Sequence, residues 1–247
     1  MSPTAPTAPV KNVTDRVSNP FGMEPDCDRF VPGYGDANAD FHVVGDHPGV
    51  HGGIDAGVPF TGTAAGDRLL DTLVRAGLLD AAGEAPAVAS TYLSYLHMCV
   101  PEGDRATADG SPTEASYDDM ERFFDAEVRA IAAHVLLPVG ERATRHVLET
   151  FTARAHGTTL DMDDLHGREI TGAGWLVLPI KEPADWSAPA DAAGAADPGA
   201  GVSDADPDPV GDAERLVDAI GTLRSTDYRR ESDLGRFVAG FDPYMVR

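Results

Sequence analysis

Histidines and one carboxylate are concentrated in a short stretch of this chain. His42, Asp46, His47 and His51 follow the spacing His-x3-Asp-His-x3-His. Imidazole and carboxylate groups suit zinc or manganese, so this spacing is compatible with a metal-dependent hydrolase. The alternative is chance clustering of histidines in a glycine-rich loop. We favour it because His42 falls within a predicted strand and His47 stands beside Pro48. A stoichiometric ion in the purified protein would reverse that preference.

Strands and helices alternate along the chain. Runs of apolar and β-branched residues predict strands at 41–44, 88–96, 135–137 and 175–180. Apolar residues at helical spacing predict helices at 64–79, 111–131, 143–151 and 214–223. This alternation predicts an α/β fold, a three-layer α/β/α arrangement around a central four-stranded, mainly parallel sheet.

Several residues with functional chemistry follow the predicted strands directly. Gly45, Tyr95 and Gly140 stand at three strand ends, and Lys181 and Glu182 stand at the fourth. Ligands of parallel α/β sheets bind at the carboxyl ends of the strands. We therefore expect the functional site at this edge of the sheet.

The charge of the chain is strongly acidic. The formal net charge is −22, and lysine occurs only at Lys11 and Lys181. Abundant aspartate with scarce lysine is typical of proteins that work in concentrated salt, where carboxylate repulsion is screened within a few ångströms. An acidic protein normally binds nucleic acid poorly, but counterion release contributes little in molar salt. The charge therefore does not decide whether DNA is a partner.

The two cysteines and the apolar runs bear on the compartment. Cys27 and Cys99 have no CxxC spacing, and their number excludes a four-cysteine metal site. We expect two buried free thiols in a reducing cytosol. No apolar run approaches the roughly 20 residues of a membrane span, and the first residues lack a signal-peptide pattern. These features predict a cytoplasmic protein without a membrane partner.

The composition changes along the chain and divides it into segments. Residues 1–14 read as a disordered tail, and residues 15–183 as one α/β domain. Residues 184–212 consist almost wholly of Ala, Asp, Gly, Pro and Ser, so we expect an acidic, solvated low-complexity insertion. Residues 213–247 are predicted to form a helical segment that packs on the same domain.

The most specific pattern lies in the first strand, loop and helix. It reads Gly45-Asp46-His47-Pro48-Gly49, then Gly57-Val58-Pro59-Phe60-Thr61-Gly62, then Leu69-Leu70. This resembles the first motif of the iron–sulfur-type (family four) uracil-DNA glycosylases, Gly-Glu-x-Pro-Gly followed by Gly-x-Pro-Phe-x-Gly and a leucine-rich helix. Residues 92–99, 136–143 and 177–183 resemble later motifs of that family in the expected order. The resemblance covers roughly residues 17–183.

The resemblance implies a uracil-DNA glycosylase fold and excision of a flipped damaged base, uracil or a related one, from DNA. It implies that Asp46 orients water or stabilises positive charge on the sugar, as carboxylates do in glycoside cleavage. Phe60 would stack on the base. The alternatives are a core aromatic for Phe60 and a loop-capping carboxylate for Asp46. The residues expected to line the base pocket with it are Gly45, His47, Pro48, Gly49 and Tyr95.

The chain departs from the family pattern at the chemical positions. Asp46 replaces a glutamate, and Tyr95 replaces an asparagine whose amide reads the uracil edge. Glu182 stands where the family has a histidine that stabilises the departing anion. Lys181 is adjacent and offers the missing positive charge. The alternative is a loop lysine that faces solvent. The predicted catalytic set is therefore Asp46, Lys181 and Glu182.

The iron–sulfur ligands of the family are mostly absent. Only Cys99 aligns with a cluster cysteine, and the other positions fall near Ser18, Phe21 and Met120. We therefore predict no cluster and no other cofactor.

Two functional hypotheses follow from the resemblance, beside the metal-dependent hydrolase. One is an active glycosylase, and the other is a DNA-binding homologue that has lost its chemistry. Arg142 and Arg145 lie one turn apart after Gly140 and are predicted to contact DNA phosphate. A solvated helix face is the alternative for both arginines. We expect a monomer that acts on single- or double-stranded DNA.

Overall fold

A six-stranded sheet forms the centre of the molecule. The computed structural model describes residues 11–152, 160–188 and 210–229. The strands of the sheet are β1 (Tyr34–Gly35), β2 (Phe41–Gly45), β5 (Thr91–Tyr95), β6 (Val135–Pro138), β7 (Ile170–Gly172) and β8 (Trp175–Val177). Their order is β1-β5-β2-β6-β8-β7, with β5, β2, β6 and β8 parallel and antiparallel strands at both edges. The predicted α/β class with four central parallel strands is confirmed.

Helices cover both faces of the sheet. They are α1 (Pro48–His51), α2 (Ala64–Arg75), α3 (Glu114–Ile131), α4 (Gly140–Phe151), α5 (Met162–Leu165) and α6 (Asp212–Ser225). Successive residues of a strand face opposite ways. Val43 accordingly belongs to the apolar cluster with the leucines of α2 and α6, whereas Val44 packs with Phe124 and Ala143 of α3 and α4. The central strand is therefore buried on both faces. Within the described ranges no helix has the length and apolarity needed to cross a membrane.

The helix predicted at 64–79 is shorter in the structure. Thr63 caps its start, because its hydroxyl accepts a hydrogen bond from the Gly66 amide at 3.0 Å. The helix ends at Arg75, and Gly77 takes the left-handed conformation at φ +73°. The chain then forms β3 (Leu79–Ala81), which pairs with β4 (Ala87–Val88) in a separate two-stranded ribbon. The strand predicted at 88–96 is consequently split between this ribbon and the main sheet.

The described ends of the predicted insertion are packed against the domain. The Ser187 amide donates to Asp212 Oδ2 at 2.7 Å, and the Trp186 indole donates to the Lys181 carbonyl at 2.8 Å. Helix α6 follows and buries Leu216 and Ile220 against α2. The rest of the insertion, residues 1–10 of the tail predicted at 1–14 and the segment after residue 229 lie outside the described residues.

The prediction of two free thiols is wrong. Cys27 and Cys99 form a disulfide with their Cα atoms 6.3 Å apart, a separation that a disulfide spans without backbone movement. The bond joins the segment before β1 to the residues that follow β5. The two cysteines are 72 residues apart in sequence, and no local pattern predicted that they would pair. Free cysteines are absent from the chain as a result.

Thiol titration checks this pairing. In denaturant without a reductant we expect essentially no reactive thiol, and after reduction we expect both cysteines to react. The Cys27→Ser variant is the matched control, since it leaves Cys99 free before reduction. Two reactive thiols in the unreduced wild-type protein would show that the bond is not formed.

Candidate functional site

The carboxyl ends of the central strands converge, as the sequence predicts. A Cβ added at Gly45, the last residue of β2, would lie 2.8 Å from the Tyr95 ring at the end of β5. A Cβ added at Gly140, which follows β6, would lie 3.2 Å from the Glu182 carboxylate. Glycine is required at position 45 because any side chain would overlap a buried ring. Four strand ends thus form one site, with Asp46 beside it.

Asp46 is fixed at all three of its polar groups. Its amide donates to His51 Nδ1 at 3.0 Å, and its carbonyl accepts from the His97 amide at 3.0 Å. Its carboxylate accepts a hydrogen bond from the Tyr117 hydroxyl. The contacts come from α1, from the residues after β5 and from α3, so three separate elements set the direction of this carboxylate.

Two opposing effects act on the pKa of the Asp46 carboxyl. Burial raises the pKa of this carboxyl above its ordinary value, because the charged form loses hydration. The hydrogen bond from Tyr117 and the electrostatic interactions with His51, Arg142 and His97 oppose the rise in the Asp46 pKa. The side chain remains partly exposed. An accessible carboxylate in this setting can orient a water molecule or stabilise a nearby positive charge.

His51 links Asp46 to Glu182. Its Nε2 lies 2.9 Å from Glu182 Oε2, while its Nδ1 accepts the Asp46 amide proton. The acceptor role of Nδ1 places the ring proton on Nε2, so His51 donates to the glutamate. His51 is 3% exposed and Glu182 is 26% exposed. From the sequence, His51 was predicted only as a possible metal ligand. In the structure it connects the Asp46 backbone to the Glu182 carboxylate.

Aromatic rings fill the space beneath Gly45. Phe60 is fully buried, and Tyr95 is 1% exposed. Their ring centroids are 5.3 Å apart, and the His51 centroid lies 5.4 Å from that of Phe60. The Tyr95 hydroxyl donates to the Gly52 carbonyl at 3.1 Å and accepts from the Phe60 amide at 2.7 Å. Phe60, predicted to offer a stacking face, is therefore covered, and Tyr95 occupies the space beside it.

The loop after Asp46 is rigid because its first residues cap a helix. His47 is the N-cap of α1, and its Nδ1 accepts from the Gly49 amide at 3.1 Å. Burial lowers the pKa of His47 to about 4, and the positive potentials of His51 and Arg142 act in the same direction. Pro48 is buried, and Gly49 is exposed. The predicted pocket residues of this loop thus have a capping role in the structure.

The histidines of the loop do not converge on a metal position. His42 lies in β2 with Nε2 2.7 Å from Ser94 Oγ, and burial lowers its pKa to about 3. His47 caps α1, and His51 contacts Glu182. Among the described residues no group of three His, Cys, Asp or Glu side chains has the arrangement of a metal site. The geometry therefore does not support the metal-dependent hydrolase.

The residues around Cys99 do not fit an iron–sulfur cluster. Its sulfur is bonded to Cys27, whereas a cluster requires free thiolates. Met120, at a position that aligns with a cluster ligand, packs against Cys99. The side chains that surround this pair are apolar, namely Met23, Met98, Phe30 and Phe123. Packing and a disulfide occupy this region, so the residues present do not fit a cluster.

The predicted basic residues have acidic partners. Lys181 Nζ lies 2.5 Å from Asp163 and 3.6 Å from Asp212, so its interactions lead towards α5 and α6. Arg142 lies 2.7 Å from Glu114. Arg145 lies 2.5 Å from Glu141. Glu182 therefore lies at the site, in contact with His51, whereas the Lys181 ammonium is paired with Asp163.

Tyr117 and His97 are site residues that sequence reasoning missed. Tyr117 precedes Met120 by one helical turn and Phe124 by two, so it lies on the buried face of α3. That periodicity was a usable signal for its direction. The contact with Asp46 was not predictable, because 71 residues separate the pair in sequence.

Comparisons with known proteins identify relatives of this chain. A family model described as the uracil DNA glycosylase superfamily matches residues 32–194. A type-5 uracil-DNA glycosylase of Thermus thermophilus is 33% identical over 46% of this chain and 53% of its own length. The type-5 enzyme of Pyrobaculum aerophilum is 31% identical over 63% of this chain and 66% of its own. That of Mycobacterium leprae is 29% identical over 47% and 50%.

The match spans half to two thirds of the length of these relatives. Their names are of the type-5 class, so the resemblance to family four is confirmed at the level of the superfamily alone. With more than half of its residues matched by the family model, the chain belongs to the uracil DNA glycosylase superfamily.

Proposed function

We propose that the chain hydrolyses the N-glycosidic bond of a damaged base, uracil or a related one, in DNA. The observation that carries this proposal is the fixing of Asp46 by His51, His97 and Tyr117 at the carboxyl edge of the sheet. A carboxylate held in one direction before substrate binds needs little reorganisation during the reaction. Relatives named as uracil-DNA glycosylases support the same class of reaction.

Asp46 is the catalytic carboxylate of the proposal. Cleavage of an N-glycosidic bond leaves positive charge on the sugar, which a nearby carboxylate stabilises. The C1′–N bond breaks, and the base leaves with the bonding electron pair and takes up a proton from solvent. A water oxygen then bonds to C1′, and Asp46 accepts the water proton. Glu182 anchors His51, which holds the Asp46 amide. Lys181 fixes the segment that carries Glu182 through Asp163.

DNA is the proposed partner of a monomeric chain. Arg142 and Arg145 are the proposed phosphate contacts, and their present partners Glu114 and Glu141 are exposed carboxylates. Exposed ion pairs contribute about 0–1 kcal/mol, so a phosphate can replace either partner. We propose a saline cytoplasm as the working environment, in which the charge of −22 is screened.

An excision assay in molar potassium chloride tests the proposed reaction. The substrates are single- and double-stranded DNA that carry uracil, hypoxanthine or xanthine. We expect abasic product from at least one substrate, and we expect Asp46→Ala to slow its formation by about a hundredfold or more. Asp55→Ala is the matched control, because Asp55 lies exposed in the same loop. Product formation that survives Asp46→Ala would remove Asp46 from the mechanism.

A DNA-binding homologue without chemistry is the second candidate. The burial of Phe60 and Tyr95 favours it, because a flipped base has no open space beside these rings unless Tyr95 moves. DNA binding without product from any of the substrates would establish this candidate and exclude the first.

A further inference from the structure

Three side chains form a series of contacts that ends at the Asp46 carboxylate. Tyr117 donates its hydroxyl proton to Asp46 Oδ1. The guanidinium carbon of Arg142 lies 4.3 Å from the centroid of the Tyr117 ring, within the range of a cation–π contact. Glu114 holds Arg142 with two contacts, at 2.7 Å and 3.4 Å. The arginine therefore has a defined position over the ring, and the Glu114 carboxylate balances its charge.

His97 supports the same ring from another direction. Its centroid lies 5.4 Å from that of Tyr117 in an edge-to-face arrangement. Its Nε2 lies 2.7 Å from the Ser116 hydroxyl, and its Nδ1 lies 2.9 Å from the Cys99 carbonyl. Because a carbonyl can only accept, the ring proton is on Nδ1 and Ser116 donates to Nε2. The Tyr117 ring is thus held between a cation and a neutral imidazole.

We propose that Tyr117, held by Arg142 and His97, is the positioning residue of Asp46. This inference rests on the proposed function, in which the carboxylate that Tyr117 directs stabilises the positive charge that N-glycosidic cleavage produces on the sugar ring. The Tyr117 hydrogen bond is charge-assisted and goes to one carboxylate oxygen. Asp46 remains partly exposed, so its charge can act on a ligand at the site.

The ionisation of Asp46 gives this role a measurable signature. Burial raises the pKa of Asp46, and the Tyr117 hydrogen bond is the largest of the effects that lower it. Removing the hydroxyl therefore moves the Asp46 pKa further upward, so the carboxyl loses its charge at a higher pH than in the wild type. The charged and titratable groups that face this carboxyl are Tyr117, His51, Arg142 and His97. Phenylalanine at position 117 leaves all of the others in place.

Binding of two isosteric DNA analogues tests the proposal. One duplex carries a pyrrolidine ring, which is cationic, in place of the target sugar, and the other carries the neutral tetrahydrofuran ring. In molar potassium chloride we expect wild-type protein to favour the pyrrolidine duplex by about tenfold or more, measured by fluorescence anisotropy. We expect Tyr117→Phe to reduce this preference to about twofold or less and to move its loss on acidification to higher pH.

A matched control lies at the opposite end of the sheet. Tyr228 approaches the Asp40 carboxylate with its hydroxyl at 3.4 Å, so Tyr228→Phe also removes a tyrosine hydroxyl beside a carboxylate. We expect it to leave the preference for pyrrolidine unchanged. A Tyr117→Phe variant that keeps both the preference and the wild-type pH midpoint would overturn the proposal.

A carboxyl-detected NMR titration separates this proposal from the proposed function. It follows the Asp46 resonance in the free protein, assigned with Asp46→Asn, and needs neither DNA nor activity. An upward shift of the Asp46 midpoint in Tyr117→Phe supports the positioning role even if no base is excised. An unchanged midpoint contradicts that role even if excision is observed. Equal wild-type affinity for the two duplexes would refute the stabilisation of positive charge on the sugar ring.

Discussion

Tyr95→Ala is expected to strengthen binding of uracil-containing DNA by at least about tenfold. The wild-type ring lies between Gly45, Phe60 and His51 and leaves no room for a base against Phe60. A base that enters must first displace this ring, and removal of a buried aromatic side chain costs roughly 3–5 kcal/mol. In Tyr95→Ala the ring is already absent, so the variant loses this free energy on folding and does not lose it again on binding DNA. Fluorescence anisotropy in molar potassium chloride measures the change.

Two variants control for the loss of stability that accompanies Tyr95→Ala. Tyr95→Phe keeps the ring in the pocket, so we expect no gain in affinity. Tyr92→Ala removes an equally buried tyrosine from the same strand, and this ring packs near His42 and Phe21, away from Phe60. A similar affinity change in Tyr92→Ala and Tyr95→Ala would contradict the specific role of Tyr95.

The elements that carry the site were predictable because their signals are local. The run from Phe41 to Gly45 is apolar and ends at a glycine, and the structure confirms it as the central strand. Helix α3 shows helical spacing of Met120, Phe124 and Val128, and all three are buried. Convergence of the strand ends then follows from the parallel order of the sheet.

The side-chain partners of the site were not predictable because they depend on tertiary distance. Glu182 contacts His51 across 131 residues of sequence, and Lys181, its neighbour, turns to Asp163. Adjacent side chains of an extended segment point in opposite directions, so only one of Lys181 and Glu182 can face the site. Within a loop the sequence does not determine which of the two it is. The same limit applies to Cys27 and Cys99, whose pairing depends on how two loops meet.

Tyr95 shows where family resemblance and structure separate. The resemblance implied a polar reader of the base at this position. The structure instead shows a phenol whose hydroxyl is bonded to the Gly52 carbonyl and the Phe60 amide. A buried hydroxyl with two backbone partners stabilises the closed pocket, since its loss leaves both groups unsatisfied. The loop motif is therefore retained, while the Tyr95 ring occupies the space beside Phe60 where the base was expected.

Glu127→Gln is expected to gain stability relative to wild type as the pH rises from about 4.5 to 7. Glu127 is fully buried on α3, and its Oε1 accepts from the Tyr92 hydroxyl at 2.8 Å. Its Oε2 has no hydrogen-bond partner within the described part of the chain. Burial raises the pKa of Glu127 from 4.5 to about 7, although the hydrogen bonds from Tyr92 and the Gly33 amide favour the charged form.

The sign of this effect follows from proton binding. Between pH 4.5 and 7 the folded state keeps the Glu127 proton and the unfolded state has lost it, so rising pH favours unfolding. Integrated over that interval, the contribution is on the order of 3 kcal/mol. His42 acts oppositely, because burial lowers its pKa to about 3 and acid therefore favours the unfolded state. The two groups partly cancel in the wild type.

The difference between variant and wild type isolates Glu127 from that cancellation. Glutamine removes the titration and keeps an oxygen for Tyr92, whereas His42 contributes equally to both proteins. Urea unfolding in molar potassium chloride at several pH values gives the difference in the free energy of unfolding. We expect Glu121→Gln, an exposed change on the same helix, to show a difference that does not vary with pH. A difference for Glu127→Gln that also does not vary with pH would mean that the buried carboxyl is ionised throughout this interval. Its second oxygen would then accept a hydrogen bond from a donor.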